Sequence, residues 1–196
     1  MHFVNRLTGL TYEVREPTEQ DAPTVHATLR ELLDDEDSFV LVNYLGEVRD
    51  VQEIGKILKD SNSSQRLWYL TFINNELVGG ASLFVAPFFP FKVQTHEGRL
   101  AYWVRRKFRG MGLTYVMLYV LLSNSGVTYV SAFVDRLNIK SMKILEALGL
   151  ERLALLEEAI YNVKECKLHD VYLYRGKREV ALMRLREKLE ERGFSY

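Results

Sequence analysis

The feature that most constrains the fold is a strand followed by a glycine turn and a helix, between residues 99 and 124. Apolar and polar residues alternate from 99 to 105, which predicts a half-buried strand. After two glycines, apolar residues recur at helical spacing, which predicts a helix from about Gly112 to Asn124. A strand coupled to a helix in this way is typical of an α/β domain. The apolar positions of the helix are Leu113, Val116, Met117, Val120 and Leu121.

The other segments extend this unit in the order β-α-α-β-β-β-α-β-α-β-β-α. Residues 127–134 form a nearly continuous apolar run, which indicates a strand covered on both faces of a sheet. The predicted strands are 11–15, 66–73, 77–85, 99–105, 127–134, 153–161 and 170–174. The predicted helices are 18–33, 48–59, 112–124, 138–148 and 178–192, the first beginning at Thr18 or nearer Asp21.

Charge balance and cysteine content argue against several classes of function. The chain has 26 basic and 26 acidic residues, so no net charge draws it to nucleic acid or an anionic membrane. Its apolar runs are far shorter than the roughly 20 residues that span a bilayer, and residues 1–10 lack the apolar stretch of a signal peptide. Cys166 is the only cysteine, and no Cys/His spacing indicates zinc. We therefore expect a cytoplasmic protein without a metal, nucleic-acid or membrane partner.

The glycine turn reads Arg109-Gly110-Met111-Gly112-Leu113-Thr114. The start of a helix offers unpaired backbone N–H groups, and glycines let a phosphate approach them closely. The turn is not a P-loop, because no Gly-Lys-Ser/Thr follows, and Tyr115 occupies the third glycine position of the dinucleotide fingerprint. Taken alone, the Gly-x-Gly pattern fits either a phosphate site or a tight turn.

Two motifs resemble those of the GNAT superfamily of acyl-CoA N-acyltransferases. The pyrophosphate loop of that family reads Arg/Gln-x-x-Gly-x-Gly/Ala, and the turn matches it except that Thr114 replaces the small residue. The segment from Asn138 to Ser141, followed by Leu148-Gly149-Leu150, is similar to the family's Asn-x-x-Ser/Ala…Leu-Gly-Phe segment. The chain is most similar to the subgroup that acetylates protein N-termini and ribosomal proteins.

This resemblance implies an α/β (α+β) acyl-CoA N-acyltransferase fold, with a mixed sheet of six to seven strands flanked by helices. Residues 1–176 would form the acetyltransferase-like domain, and 177–196 a C-terminal helical extension packed on it. The implied activity is transfer of an acetyl group from acetyl-CoA to a primary amine, either a small amine or a protein N-terminus. The amine would attack the thioester directly in a ternary complex. Loops 39–47 and 86–97 would determine which amine is accepted.

The resemblance also assigns coenzyme-binding residues. The backbone of the strand at Tyr102, Trp103 and Val104 would pair with the pantetheine arm, and a backbone N–H near Val104 would stabilise the oxyanion. The full set implied to bind the coenzyme is Tyr102, Trp103, Val104, Arg109, Gly110, Met111, Gly112, Leu113, Thr114, Asn138 and Ser141.

Proton donors and acceptors are harder to assign. Many family members protonate the departing thiolate with a tyrosine seven residues after the asparagine, where this chain has Leu145. Ser141 is the first candidate to replace it, by hydrogen bonding to the thiolate or relaying a proton, and Tyr161 and Tyr174 are alternatives. Glu97, or His96 beside it, is the candidate base, and a base that acts through water would leave no signal in the sequence.

Several readings stay open. Residues 105–107 (Arg-Arg-Lys) could either steer the phosphates of a coenzyme or form a solvated turn. The acidic run 34–37 could either attract a cationic amine or form an ordinary exposed loop. Asn138 suits a helix N-cap as well as a coenzyme contact. Without the tyrosine, a non-catalytic CoA-binding regulatory or interaction domain is the alternative function. The C-terminal helix is a candidate for holding a homodimer together.

Overall fold

The computed structural model describes residues 1–35, 39, 50–59, 63, 66–85, 96–162 and 165–196. In these ranges one sheet of nine strands has the order β7-β8-β6-β5-β4-β3-β2-β1-β9. The strands are β1 His2–Asn5, β2 Thr11–Arg15, β3 Arg66–Ile73, β4 Glu76–Phe84, β5 Glu97–Val104, β6 Tyr129–Asp135, β7 Glu151–Asn162, β8 Lys167–Lys177 and β9 Phe194–Ser195. The helices are α1 Ala22–Asp34, α2 Val51–Lys59, α3 Leu113–Ser123, α4 Ile139–Ala147 and α5 Arg178–Glu191.

The sheet contains nine strands, two more than the seven strands located in the sequence. One is β1, in which alternate side chains are buried and Phe3 is fully buried. The other is the two-residue β9, which pairs with β1 through Val4 with Ser195 and Asn5 with Phe194. This pairing joins the two ends of the chain, so no local pattern of residues reveals it. Most other elements lie within about three residues of the predicted bounds.

The start of α1 follows the predicted capping pattern. Thr18 precedes a short 3-10 turn, Glu19–Asp21, and its backbone N–H donates to Oδ2 of Asp21 at 2.7 Å. Arg15 donates to the same carboxylate, and this contact, opposed by burial, holds the pKa of Asp21 below its ordinary value. Pro23 lies in the first turn of α1, where its missing N–H costs nothing.

The pairing of β5 with β6 positions the rest of the structure. These strands are the one parallel pair among the ladders of the described sheet, and their register covers Glu97 with Tyr129, Gly98 with Val130 and Arg99 with Ser131. Both strands continue beyond this point, β5 to Val104 and β6 to Asp135. The strands therefore separate after Arg99 and leave a cleft that opens toward the start of α3.

The C-terminal helix forms part of the hydrophobic core. Helix α3 is buried over most of its surface, and α5 packs against it. Ala181, Leu185 and Leu189 on one side of α5 are fully buried, and Phe194 follows them into the same cluster. The helix is thus held to the rest of the domain by apolar contacts.

Leu185→Ala should lower the free energy of unfolding by about 2–5 kcal/mol, because it leaves a cavity between α5 and α3. Met183→Ala on the same helix is the matched control, since Met183 is 47% exposed, and it should change stability by less than about 0.5 kcal/mol. Urea unfolding followed by circular dichroism measures both. Equal effects of the two substitutions would contradict the packing of α5.

Candidate functional site

Two cavities meet in the cleft between β5 and β6. The smaller has a volume of about 230 Å³ and extends to the glycine turn before α3. The larger, about 480 Å³, lies between β5, β6 and the ends of β7 and β8. Tyr102, Asn138 and Ser141 line both of them. A molecule in one cavity can therefore reach a molecule in the other at these three residues.

The glycine turn has the backbone of an anion site. Gly110 and Gly112 have φ angles of +83° and +80°, which glycine adopts without strain. No atom lies within 4 Å of the position that a Cβ of Gly110 would occupy. Gly112 is the N-cap of α3 and has no side chain to cap it, so the first N–H groups of the helix are left for a ligand or water.

Nearly all of the residues predicted to bind the coenzyme line the smaller cavity. Of the set implied by the resemblance, only Met111 is not among its described lining residues. Two cationic residues that the sequence reasoning missed, Lys140 and Arg192, complete the wall. Arg192 follows α5, and its guanidinium lies 5.1 Å from the centre of the Tyr115 ring. Its presence here depends on the packing of α5 on α3.

Arg109 has a different local role from a simple phosphate ligand. Its Nε donates to the carbonyl oxygen of Val104 at 3.2 Å, and its Nη2 forms an ion pair with the buried carboxylate of Asp35. This contact ties the turn to the end of α1. Asp35 belongs to the acidic run 34–37, which was predicted either to attract a cationic amine or to form an exposed loop. Glu36 and Asp37 lie outside the described residues.

The basic cluster before the turn is largely neutralised by carboxylates. Arg105 contacts Glu31 and Glu76 at 2.7 Å each, and Lys107 contacts Glu76 at 2.5 Å. These ion pairs connect the end of β5 to α1 and β4. Because the charges of Arg105 and Lys107 are compensated within the chain, an anion in the cavity meets mainly the backbone dipoles and the other cationic side chains of its wall.

Asn138, Ser141 and Tyr102 are linked where the two cavities meet. The N–H of Ser141 donates to Oδ1 of Asn138 at 3.1 Å, so Asn138 is the N-cap of α4 as well as a lining residue. The hydroxyl groups of Ser141 and Tyr102 share a hydrogen bond of 2.7 Å. Burial raises the pKa of the Tyr102 hydroxyl, so it stays protonated. The sequence indicated only a backbone role for Tyr102, because the partner hydroxyl lies 39 residues away.

The other candidate catalytic residues lie apart from this junction. Glu97, Tyr161 and Tyr174 are not among the described residues that line either cavity. Tyr161 is 46% exposed on β7, where its neighbours Ile160 and Asn162 face the larger cavity. Tyr174 is buried and donates to Glu146 at 2.8 Å; burial and that carboxylate raise its pKa to about 12.

Glu97 is held by an ion pair. Its Oε2 accepts from Nε of Arg175 on β8 at 2.8 Å. Its other oxygen, Oε1, is buried and has no hydrogen-bond partner within the described part of the chain. Because this oxygen is closed off from solvent and Glu97 lines neither cavity, the carboxylate is not placed to take a proton from a molecule bound there.

The larger cavity is mostly apolar, with two charged residues among its described walls. Phe39, Phe84 and Phe133 contribute aromatic surface. The guanidinium of Arg99 lies 4.5 Å from the centre of the Phe133 ring, and Asp135 supplies a carboxylate at the end of β6. The rest of the two predicted specificity loops, residues 40–47 and 86–95, lies outside the described residues.

The ranges that the structure describes contain neither a cluster of metal ligands nor a membrane-spanning helix. No group of three His, Cys, Asp or Glu side chains there could hold a metal ion. No helix there is long and apolar enough to cross a bilayer.

Solved structures share this architecture. A GNAT-family acetyltransferase from Streptococcus pneumoniae has a TM-score of 0.72 at 21% identity, with 85% of this chain and 99% of that chain covered. A ribosomal-protein-alanine N-acetyltransferase from Brucella melitensis has 0.72 at 20%, with 84% and 99% covered. A putative acetyltransferase from Salmonella typhimurium, solved with its cofactor acetyl-CoA, has 0.71 at 15%, with 85% and 94% covered. At these identities the likeness shows a common fold.

A protein-family model matches the sequence over most of its length. No curated protein matches the sequence. Residues 12–151 match the model of the acetyltransferase (GNAT) domain, from β2 to the start of β7. This match spans most of the chain and includes the glycine turn, the separated strands and the Asn138 cap. The protein therefore belongs to the GNAT acetyltransferase family, which confirms the fold and the enzyme class predicted from its sequence.

Proposed function

We propose that the protein transfers the acetyl group of acetyl-CoA to a primary amine, a small amine or a protein N-terminus, by direct attack in a ternary complex. The observation that carries this proposal is the junction of two cavities at Tyr102, Asn138 and Ser141. Separate cavities that meet at one point allow both substrates to be bound at once, with the reacting atoms held together.

The smaller cavity is the proposed coenzyme site. The pyrophosphate would lie on the free N–H groups at Gly110–Thr114, where the positive end of α3 favours an anion. The pantetheine arm would lie along β5 beyond Arg99, where the register with β6 has ended. The Salmonella protein was solved with acetyl-CoA, and a ribosomal L7/L12 N-terminal acetyltransferase with the same fold was solved with CoA. Both support this assignment.

The backbone of β5 supplies the proposed oxyanion donor. The N–H of Arg105 donates to the carbonyl of Val78 in β4. Because successive N–H groups of a strand point to opposite sides, the N–H of Val104 points toward the cleft. A donor fixed by the sheet needs no reorganisation when charge develops on the thioester oxygen.

Ser141 is the proposed partner of the departing thiolate. As the amine nitrogen bonds to the carbonyl carbon, the C–S bond breaks and the sulfur gains a proton. The serine hydroxyl can donate to the sulfur, while its hydrogen bond with Tyr102 sets its orientation. Glu97 lines neither cavity and its Oε1 is buried, so the proposed scheme does not use it as the base, and the amine releases its proton to water. The exposed Tyr161 receives no role in this scheme.

A non-catalytic CoA-binding domain is the competing function. The observation that favours it is that Leu145, at the position of the expected acid, is fully buried and apolar. Turnover separates the two functions, because both bind CoA but only an enzyme releases free thiol from acetyl-CoA when an amine is added.

Gly110→Glu should weaken CoA binding by at least about 100-fold, which corresponds to about 2.7 kcal/mol. The new carboxylate would stand in the open space beside the turn, where the diphosphate is expected. Gly110→Gln carries the same backbone strain without the charge and should retain more affinity. Gly126→Glu, at another open and exposed glycine, is the control for the substitution itself. Calorimetric titration with CoA gives the affinities, and unchanged binding by Gly110→Glu would contradict the site.

Ser141→Ala should lower kcat about 100-fold and leave the affinity for CoA within about threefold. The backbone N–H of residue 141 still donates to Asn138, the N-cap of α4, so the fold is retained. Tyr102→Phe keeps the ring and removes only the hydroxyl, and it should cause a smaller loss of kcat. Steady-state release of CoA thiol measures both variants. A wild-type kcat in Ser141→Ala would show that the hydroxyl of Ser141 takes no part in the mechanism.

A homodimer and a cytoplasmic location stay predictions. The single cysteine cannot form an intramolecular disulfide, which suits a reducing compartment. Light scattering of the intact chain over a hundredfold range of concentration should give twice the mass of 22.8 kDa at the upper end. Deleting residues 178–196 is a poor test of this dimer, because it would expose the core beneath Leu185 and Leu189. A constant monomer mass would exclude the dimer.

A further inference from the structure

A buried carboxylate and imidazole stand at the wall of the larger cavity. Asp135 is the last residue of β6, and His169 lies on the adjacent strand β8. Nδ1 of His169 and Oδ2 of Asp135 are 2.5 Å apart, and the two side chains are only 4% and 8% exposed. This pair cannot be recognised from local sequence patterns, because its members are 34 residues apart.

The contacts of Asp135 leave part of its carboxylate available to the cavity. Oδ2 is hydrogen-bonded to the imidazole of His169, and Oδ1 accepts a hydrogen bond from the N–H of Leu137 at 2.8 Å. Each carboxylate oxygen can accept two hydrogen bonds, so each retains a site for another donor. Asp135 also lines the cavity, so such a donor can come from a bound molecule.

The surroundings of this carboxylate limit the kind of molecule that fits. Most of the described wall is apolar, including Phe84, Leu156, Ile160 and Val171. Asp135 is the one carboxylate among the described lining residues, so a second cationic group on the ligand would have no anionic partner there. The cavity of about 480 Å³ is large enough for a small aromatic amine or the first residues of a peptide.

We propose that Asp135 binds the ammonium group of the acceptor, that this group releases a proton to water before its nitrogen attacks the thioester, and that the acceptor is a monocationic primary amine on an apolar body. This inference rests on the proposed transfer to an amine and specifies which amines the site takes. A carboxylate that is almost fully buried attracts an ammonium more strongly than one in water, because the local dielectric is low.

The first test uses the unaltered protein saturated with CoA. Calorimetric titration should show that 2-phenylethylamine binds at least about 10-fold more tightly than 2-phenylethanol, its neutral counterpart. It should also bind more tightly than 1,4-diaminobutane, which carries two charges and no apolar body. Equal affinity for the amine and the alcohol would overturn the proposal without requiring any variant to fold.

The second test compares two carboxylates that are close in sequence. Asp135→Asn should raise the KM for 2-phenylethylamine about 10- to 100-fold and leave the affinity for CoA unchanged. Asp170→Asn is the matched control: Asp170 forms an ion pair with Arg136 at 3.1 Å and is not among the described lining residues. It should leave KM unchanged.

The outcomes separate this inference from the proposed function. If wild-type protein acetylates primary amines and Asp135→Asn retains their KM, Asp135 is structural and the inference fails alone. If wild-type protein binds CoA but acetylates no amine, including peptides with free N-termini, the proposed function fails first. A rise in KM confined to Asp135→Asn supports both.

Discussion

The separation of β5 from β6 after Arg99 is the constraint on which the site depends. A parallel pair normally continues its ladder to the ends of the strands, because an unpaired backbone group in the interior is costly. Here the strands diverge, and the backbone of Tyr102–Val104 faces a cleft. A ligand with amide groups of its own can satisfy these groups, as an added strand would. The same divergence opens the larger cavity and brings it to Ser141.

The chain holds this open arrangement with contacts that neutralise charge. Arg109 joins the glycine turn to Asp35, and Arg105 joins the end of β5 to Glu31 and Glu76. Partly buried ion pairs of this kind fix geometry more than they add stability. The turn therefore keeps its shape before a ligand arrives, and its N–H groups are oriented in advance.

The two cavities differ in how they select their contents. The smaller is built from backbone groups, a helix terminus and exposed cations, which suit any diphosphate with an extended arm. The larger is built from side chains of five strands or their adjoining segments, and a single carboxylate at Asp135 stands in a largely apolar wall. In the proposed function, coenzyme binding would depend on the backbone that the fold provides, whereas acceptor choice would depend on individual side chains.

The sequence by itself determined the order of elements from β2 to α5, the glycine turn and the Asn138 cap, because each rests on residues close together in the chain. Periodicity, capping and positive-φ glycines act over a few residues, so their signals can be read without the fold. Only the tertiary structure decided the ninth strand, the Tyr102–Ser141 bond, the Asp135–His169 pair and the place of Arg192. These contacts join residues 34 to 191 positions apart, and side chains at such separations meet only when the sheet order brings their strands together.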